Sequence, residues 1–102
     1  MLYVALGRNI GDIPMADNYW ANFVETVTNV IQNCELLPKP DTVAYGESNF
    51  NGDGEETCVL VWFDKNSNLL GDTIGALTQV AEIYEQESIA YTVAVTEFTG
   101  GI

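Results

Sequence analysis

Apolar and polar positions along the chain follow two rhythms. Between residues 17 and 34 the apolar side chains are Trp20, Phe23, Val24, Val27, Val30, Ile31 and Cys34, the three-and-four spacing of one helix face. Asp17 stands where it can cap this helix, with Pro14 in the approach. Pro38 and Pro40 then forbid its continuation. The same spacing returns over residues 70–86 through Leu70, Ile74, Leu77, Val80, Ala81 and Tyr84, with Gly75 as a mild weakness.

Elsewhere the runs are short and strand-like. LYVAL (2–6) ends at Gly7, DTVAYGES (41–48) forms a second strand, and TCVLVWF (57–63) is the most apolar run. Between the last two, NFNGDGEE (49–56) reads as a turn, because Asn51-Gly52 and Asp53-Gly54 accept positive φ at little cost. DKNSN (64–68) closes the third strand, SIAYTVAVTEF (88–98) is the last, and TGGI is a short tail.

The order is therefore β-α-β-β-α-β. It predicts an α+β, ferredoxin-like domain spanning 1–102, an antiparallel sheet with two helices on one face. The other face then needs a cover. The third strand is apolar on both sides, with Val59, Val61 and Phe63 on one and Cys58, Leu60 and Trp62 on the other. A half-exposed strand should alternate more cleanly. In the last strand Ile89, Tyr91, Val93 and Val95 suit the helices, which leaves Ala90, Thr92 and Ala94 for the open face. A homodimer packed sheet on sheet is the simplest cover, with Cys58, Leu60, Trp62, Ala90, Thr92 and Ala94 as its expected interface.

Charge narrows the function. The formal net charge is −12, from 15 Asp and Glu against 3 Lys and Arg. The imbalance comes from missing cations, since only Arg8, Lys39 and Lys65 are basic. Such a field opposes direct nucleic-acid binding. The acids Glu47, Asp53, Glu55 and Glu56 of the central turn could instead decoy a basic protein surface, as an acidic inhibitor of a nucleic-acid-binding protein does. With no histidine, Ser-His-Asp and Cys-His catalysis are excluded. Cys34 and Cys58 have no CxxC spacing and read as two small buried thiols, a disulfide being possible in space but without an export signal behind it. No apolar run approaches membrane-spanning length and the N-terminus lacks a signal-peptide pattern, so a soluble cytoplasmic protein is expected.

Three stretches carry candidate chemistry. GRNIGD (7–12) could present Arg8, Asn9, Gly11 and a helix start to an anionic ligand such as a phosphate, with Trp20 as a further candidate pocket residue; its plainer reading is a bend in which Arg8 pairs with an acid. ESNFNGDGEETC (47–58) partly imitates a calcium loop, but Cys58 stands where a bidentate acid belongs, so no metal or cofactor is expected. Glu87, with Tyr91 or Tyr84, is the best proton-transfer pair in a histidine-free chain.

YVALGRNIGDIPMADNYWANFV, TVAYGESNF, GEETCVLVWF and IYEQESIAYTV, in this order, resemble an uncharacterised family of small bacterial and phage-borne ferredoxin-like domains. The resemblance implies the fold and no activity. The wider dimeric α+β-barrel proteins include both small enzymes and ligand binders, a likeness that assigns no chemistry. The leading expectation is a non-enzymatic homodimer that engages a small ligand or protein partner. The acidic inhibitor and a small enzyme using Glu87 are the alternatives.

Overall fold

The computed structural model describes residues 1–50 and 53–95, without the side chains of Phe50 and Asp53. Its elements are β1 (Leu2–Gly7), β2 (Asn9–Ile10), β3 (Ile13–Pro14), α1 (Asp17–Glu35), β4 (Thr42–Phe50), β5 (Asp53–Trp62), α2 (Gly71–Ile83) and β6 (Ala90–Val93). The main sheet has the order β4-β5-β1-β6, with every neighbouring pair antiparallel. This α+β arrangement of four antiparallel strands and two helices is consistent with the ferredoxin-like expectation. The strands β4 and β5 run further toward the hairpin tip than the turn chemistry predicts, pairing as far as Phe50 with Asp53. The expected turn residues Asn51 and Gly52, and the end of the last strand from Thr96 with the TGGI tail, lie outside the described residues.

The register decides which face is buried. Leu2 pairs with Trp62, Val4 with Leu60 and Leu6 with Cys58, so these six side chains share a face. All are buried, in one cluster with Trp20, Phe23, Val24, Val27 and Ile31 of α1 and Leu77 and Val80 of α2. Both helices therefore cover this face, and each large side chain buried there contributes about 1.5–3 kcal/mol. This corrects the expected dimer surface. Cys58, Leu60 and Trp62 are core residues under the helices, and no second copy can reach them. An all-apolar strand does not announce its inner face; only pairing with β1 fixes it. Ala90 and Thr92, paired with Ala5 and Tyr3, do lie on the open face. Ala94 follows β6 and exchanges backbone hydrogen bonds with Met1, its N–H to the Met1 carbonyl at 2.9 Å.

The helix ends are secured from a distance. The α1 N-cap is Ala16, with no side-chain cap, because the Asp17 carboxylate is drawn to Arg8 instead. At the other end Leu36 adopts a left-handed conformation, φ 55°, and the Leu37 N–H returns to the Gln32 carbonyl. Glu35 then reaches across to cap α2, accepting the Leu70 N–H at 2.7 Å and the Thr73 hydroxyl at 2.5 Å. Trp62 donates its indole N–H to the Pro38 carbonyl at 2.9 Å, which pins the loop leaving α1 to the sheet. Asp64 closes β5 through an Asx turn to the Asn66 N–H. Among the described residues, no helix is long and apolar enough to cross a membrane.

Candidate functional site

The chain leaves β1 at Gly7 and turns at once into the small β2–β3 hairpin, where Asn9 pairs with Pro14 and Ile10 with Ile13. Gly11 takes φ 60° at the tip, a conformation that favours glycine. Arg8 holds this hairpin in place. Its Nε donates to the Met15 carbonyl at 2.7 Å, and its two terminal nitrogens donate to Asp17 and Glu56, each at 2.5 Å. The bonds to Asp17 and then to Glu56 push the guanidinium pKa still higher, so the charge is permanent and already neutralised. Arg8 is a clamp joining β5, the hairpin and the start of α1. The plainer of its two readings is the observed one.

Beside the clamp a cleft of about 490 Å³ opens on the uncovered face of the sheet, at the end of β1. Its floor includes Ala5, Gly7 and Thr57, and its rims carry Asn9, Gly11 and the segment 85–88. Glu55 reaches across the strands, where Oε2 accepts the Asn9 N–H at 2.7 Å. Its carboxylate lies directly over Gly7, so that a β-carbon there would stand 2.6 Å from Oε1. Only glycine permits that approach.

The opposite rim is built by the end of α2. The Gln86 N–H bonds the Ala81 carbonyl at 2.8 Å and the Glu85 N–H bonds Glu82 at 3.2 Å, the paired bonds of a Schellman ending. The left-handed residue of this motif is usually glycine; here it is Glu85, at φ 56°. A bulky residue so placed costs about 1–2 kcal/mol. Its carboxylate-bearing side chain lines the cleft, as does that of Glu87. Gln86 ties the rims together by donating Nε2 to the Asn9 carbonyl at 3.0 Å.

A second cavity, of about 260 Å³, lies between α2 and the approach to β6. Leu69, Leu77, Ala81 and Ile89 form its walls, with Glu82, Glu87 and Tyr91 also in its lining. It exists because the helices cover β1 and β5 more fully than β6, leaving Tyr91 and Val93 about half exposed on the helix side.

The expected site residues therefore divide. Asn9 and Gly11 line the cleft, whereas Arg8 does not. Glu87 and Tyr91 share the second cavity, and Glu87 borders both. Trp20 is buried beneath Phe23 and Tyr45, with ring centroids 6.1 and 6.4 Å away, and lines neither cavity. Its indole nitrogen is buried without a hydrogen-bond partner among the described residues. Sequence reasoning misses Glu85 and Gln86, and reads Glu55 only as an acid of the central turn and of the calcium-loop imitation, not as a group beside Asn9. The glycine that admits Glu55 is visible in sequence, but the contact spans two strands; the unusual helix ending at Glu85 has no local signature.

Burial pushes the Cys58 thiol pKa up, and the adjacent Tyr45 hydroxyl draws it only part of the way back. Cys34 is exposed. Both thiols are free. Among the described residues no group of three or more acids or thiols could hold a metal ion. Of the acids read as a possible decoy, Glu55 and Glu56 are committed to Asn9 and Arg8.

No family model matches the chain, and no curated protein matches it. Among solved structures, the chain is similar to a phage SAM lyase in its apo state, with a TM-score of 0.59 and 17% identity. The match covers 94% of this chain and 82% of that one. At this identity the likeness establishes a shared small α+β fold.

Proposed function

We propose that the cleft beside β1 is a site for S-adenosylmethionine and that the protein acts on it as a lyase. The observation that carries this reading is the charge of the cleft. Glu55, Glu85 and Glu87 line it, and neither lysine nor arginine does. S-adenosylmethionine carries a permanent sulfonium and an ammonium against one carboxylate, and a net organic cation gains from facing carboxylates in a concave site. The cleft volume, about 490 Å³, suits a ligand of that size. The shared fold with a phage SAM lyase supports the same substrate and is consistent with the phage-borne expectation.

The chemistry limits what the carboxylates do. When a carbon–sulfur bond of a sulfonium breaks, its electrons return to sulfur and the positive charge there vanishes. A carboxylate touching the sulfur would then favour bound substrate over the transition state. Glu55 and Glu85 are accordingly assigned to capture and orientation, through the ammonium end. Glu87 is the group available for proton transfer; Tyr91 lines the neighbouring cavity and is not its partner in the cleft.

Mass spectrometry of an incubation with S-adenosylmethionine tests this directly. Loss of substrate with release of a thioether, slowed in Glu87→Gln, supports the lyase. Saturable binding without loss would return the reading to a non-enzymatic binding module. No binding at all would sink the assignment.

A second reading, compatible with the first, concerns assembly. In a chain of charge −12, the open sheet face presents Tyr3, Ala5, Val59, Val61, Thr42, Ala44, Ala90 and Thr92, and its acid, Glu55, lies toward the hairpin tip. We propose a second copy as its cover, with Ala90 and Thr92 retained from the expected interface. Native mass spectrometry reports the subunit count, and a monomer at micromolar concentration would refute the cover.

A further inference from the structure

We propose that the cavity between α2 and β6 is a separate binding site for a compact organic ammonium ion with an apolar body, such as an arylalkylamine. The proposal goes beyond the cleft and does not depend on it. The walls are aliphatic. Leu69, Leu77 and Ala81 are buried, and Ile89 is half-buried against the core. Tyr91 and Ile74, both partly exposed, complete the lining with a ring and a branched chain. An apolar body placed here removes hydrophobic surface from water on both sides.

Polarity is confined to one sign. Glu82 and Glu87 are exposed carboxylates in the lining, and no basic residue lines it. The chain offers no internal cation to neutralise them. Arg8 is held by Asp17 and Glu56, and the two lysines lie in the loops before β4 and after β5, outside the lining. Thr78 cannot substitute as a free donor, because its hydroxyl donates to the Ile74 carbonyl at 2.9 Å. The lining thus offers acceptors to a cationic head and aliphatic walls to its tail. An anionic ligand would meet two carboxylates and no compensating donor charge. At about 260 Å³ the space takes a single ring with a short arm.

The two cavities share Gln86, Glu87 and Ser88, so the test uses residues that line this one alone, Glu82 and Thr78. Phenethylamine, 2-phenylethanol and phenylacetate are titrated against the full-length protein by amide NMR. Saturable shifts within residues 74–91 are expected for phenethylamine. The neutral alcohol should bind about tenfold more weakly, since it lacks a charge-assisted hydrogen bond, and the acid should not bind. Glu82→Gln, which leaves Glu87 in the lining, should reduce the preference for the amine over the alcohol. Thr78→Trp, at an exposed helix position that tolerates a large side chain, should block the amine and the alcohol while leaving the titration with S-adenosylmethionine unchanged. Equal affinity for the three probes, shifts that persist in Thr78→Trp, or no saturable shift with phenethylamine would each overturn the proposal.

Discussion

Gln86 donates its side-chain amide to the backbone carbonyl of Asn9 at 3.0 Å, across 77 residues of sequence. That one bond joins the end of α2 to the β2–β3 hairpin and so fixes the width of the cleft between them. Gln86→Leu should keep the fold and cost about 0.5–1.5 kcal/mol, the net worth of a neutral hydrogen bond. If the cleft is preorganised by this tie, the affinity for S-adenosylmethionine should fall by more than the stability does. Denaturant midpoints and a calorimetric titration of the same variant separate the two effects.

The contact of Glu55 with Gly7 makes a sharper prediction. A methyl group at residue 7 would collide with the carboxylate that holds the Asn9 N–H. Gly7→Ala should therefore push aside the carboxylate end of this flexible side chain and cost about 0.5–1.5 kcal/mol, the worth of its bond to the Asn9 N–H. Glu55→Ala should remove most of that penalty. The double variant should be clearly more stable than the sum of the two single changes implies. Additivity in urea unfolding would show that Glu55 does not occupy the space over Gly7.

Two bulky residues end helices in the left-handed region, Leu36 at φ 55° and Glu85 at φ 56°. Leu36 is almost fully exposed, so Leu36→Gly should stabilise by about 1 kcal/mol and leave the cleft unaltered. Glu85→Gly should stabilise similarly but weaken substrate capture. Because the carboxylate is assigned to binding, KM should rise while kcat changes little. Equal loss of kcat and kcat/KM would place Glu85 in the transition state instead.

How much of this was legible in sequence follows from the range of each interaction. Helical spacing located α1 and α2 because Trp20, Phe23, Val27 and Ile31 sit within one stretch of chain. The inner face of β5 was not legible, since Val59 and Leu60 are equally apolar and only the partner strand tells them apart. The same limit hid the cleft. Glu55 and Asn9 are 46 residues apart, and Gln86 and Asn9 are 77 apart. Arg8 stood out as the lone arginine, yet its charge serves a clamp. Glu87 stood out as a carboxylate near two tyrosines in a histidine-free chain, and it lies four residues beyond the end of α2.

The two tryptophans offer a controlled comparison. Trp62 donates to the Pro38 carbonyl, whereas the Trp20 indole N–H is buried without a partner among the described residues. Replacing either with phenylalanine removes similar apolar surface and one N–H. At Trp62 the change also breaks a bond to the carbonyl of the exposed Pro38, which adds about 0.5–1.5 kcal/mol to the packing loss. At Trp20 it removes a desolvated donor that was never satisfied, which offsets part of the packing loss, and the net cost should stay near about 1 kcal/mol. Equal costs in denaturant unfolding would mean that a bound water satisfies Trp20.

The buried thiol predicts how stability responds to alkali. Burial raises the Cys58 pKa, and the Tyr45 hydroxyl pKa is also raised, chiefly by desolvation. In the unfolded chain a cysteine ionises near about 8.5. Below that pH both states hold the proton and the contribution to stability is fully present. Above it the unfolded state loses its proton first, so stability falls as pH rises toward the folded pKa. Cys58→Val, close in volume, should flatten the stability–pH curve above about pH 9 while leaving the acidic side untouched. Thiol labelling at pH 8 provides the independent check. Cys34 is exposed and should react at once, and Cys58 only on unfolding. Two fast thiols in the native protein would mean that β5 does not present Cys58 to the core.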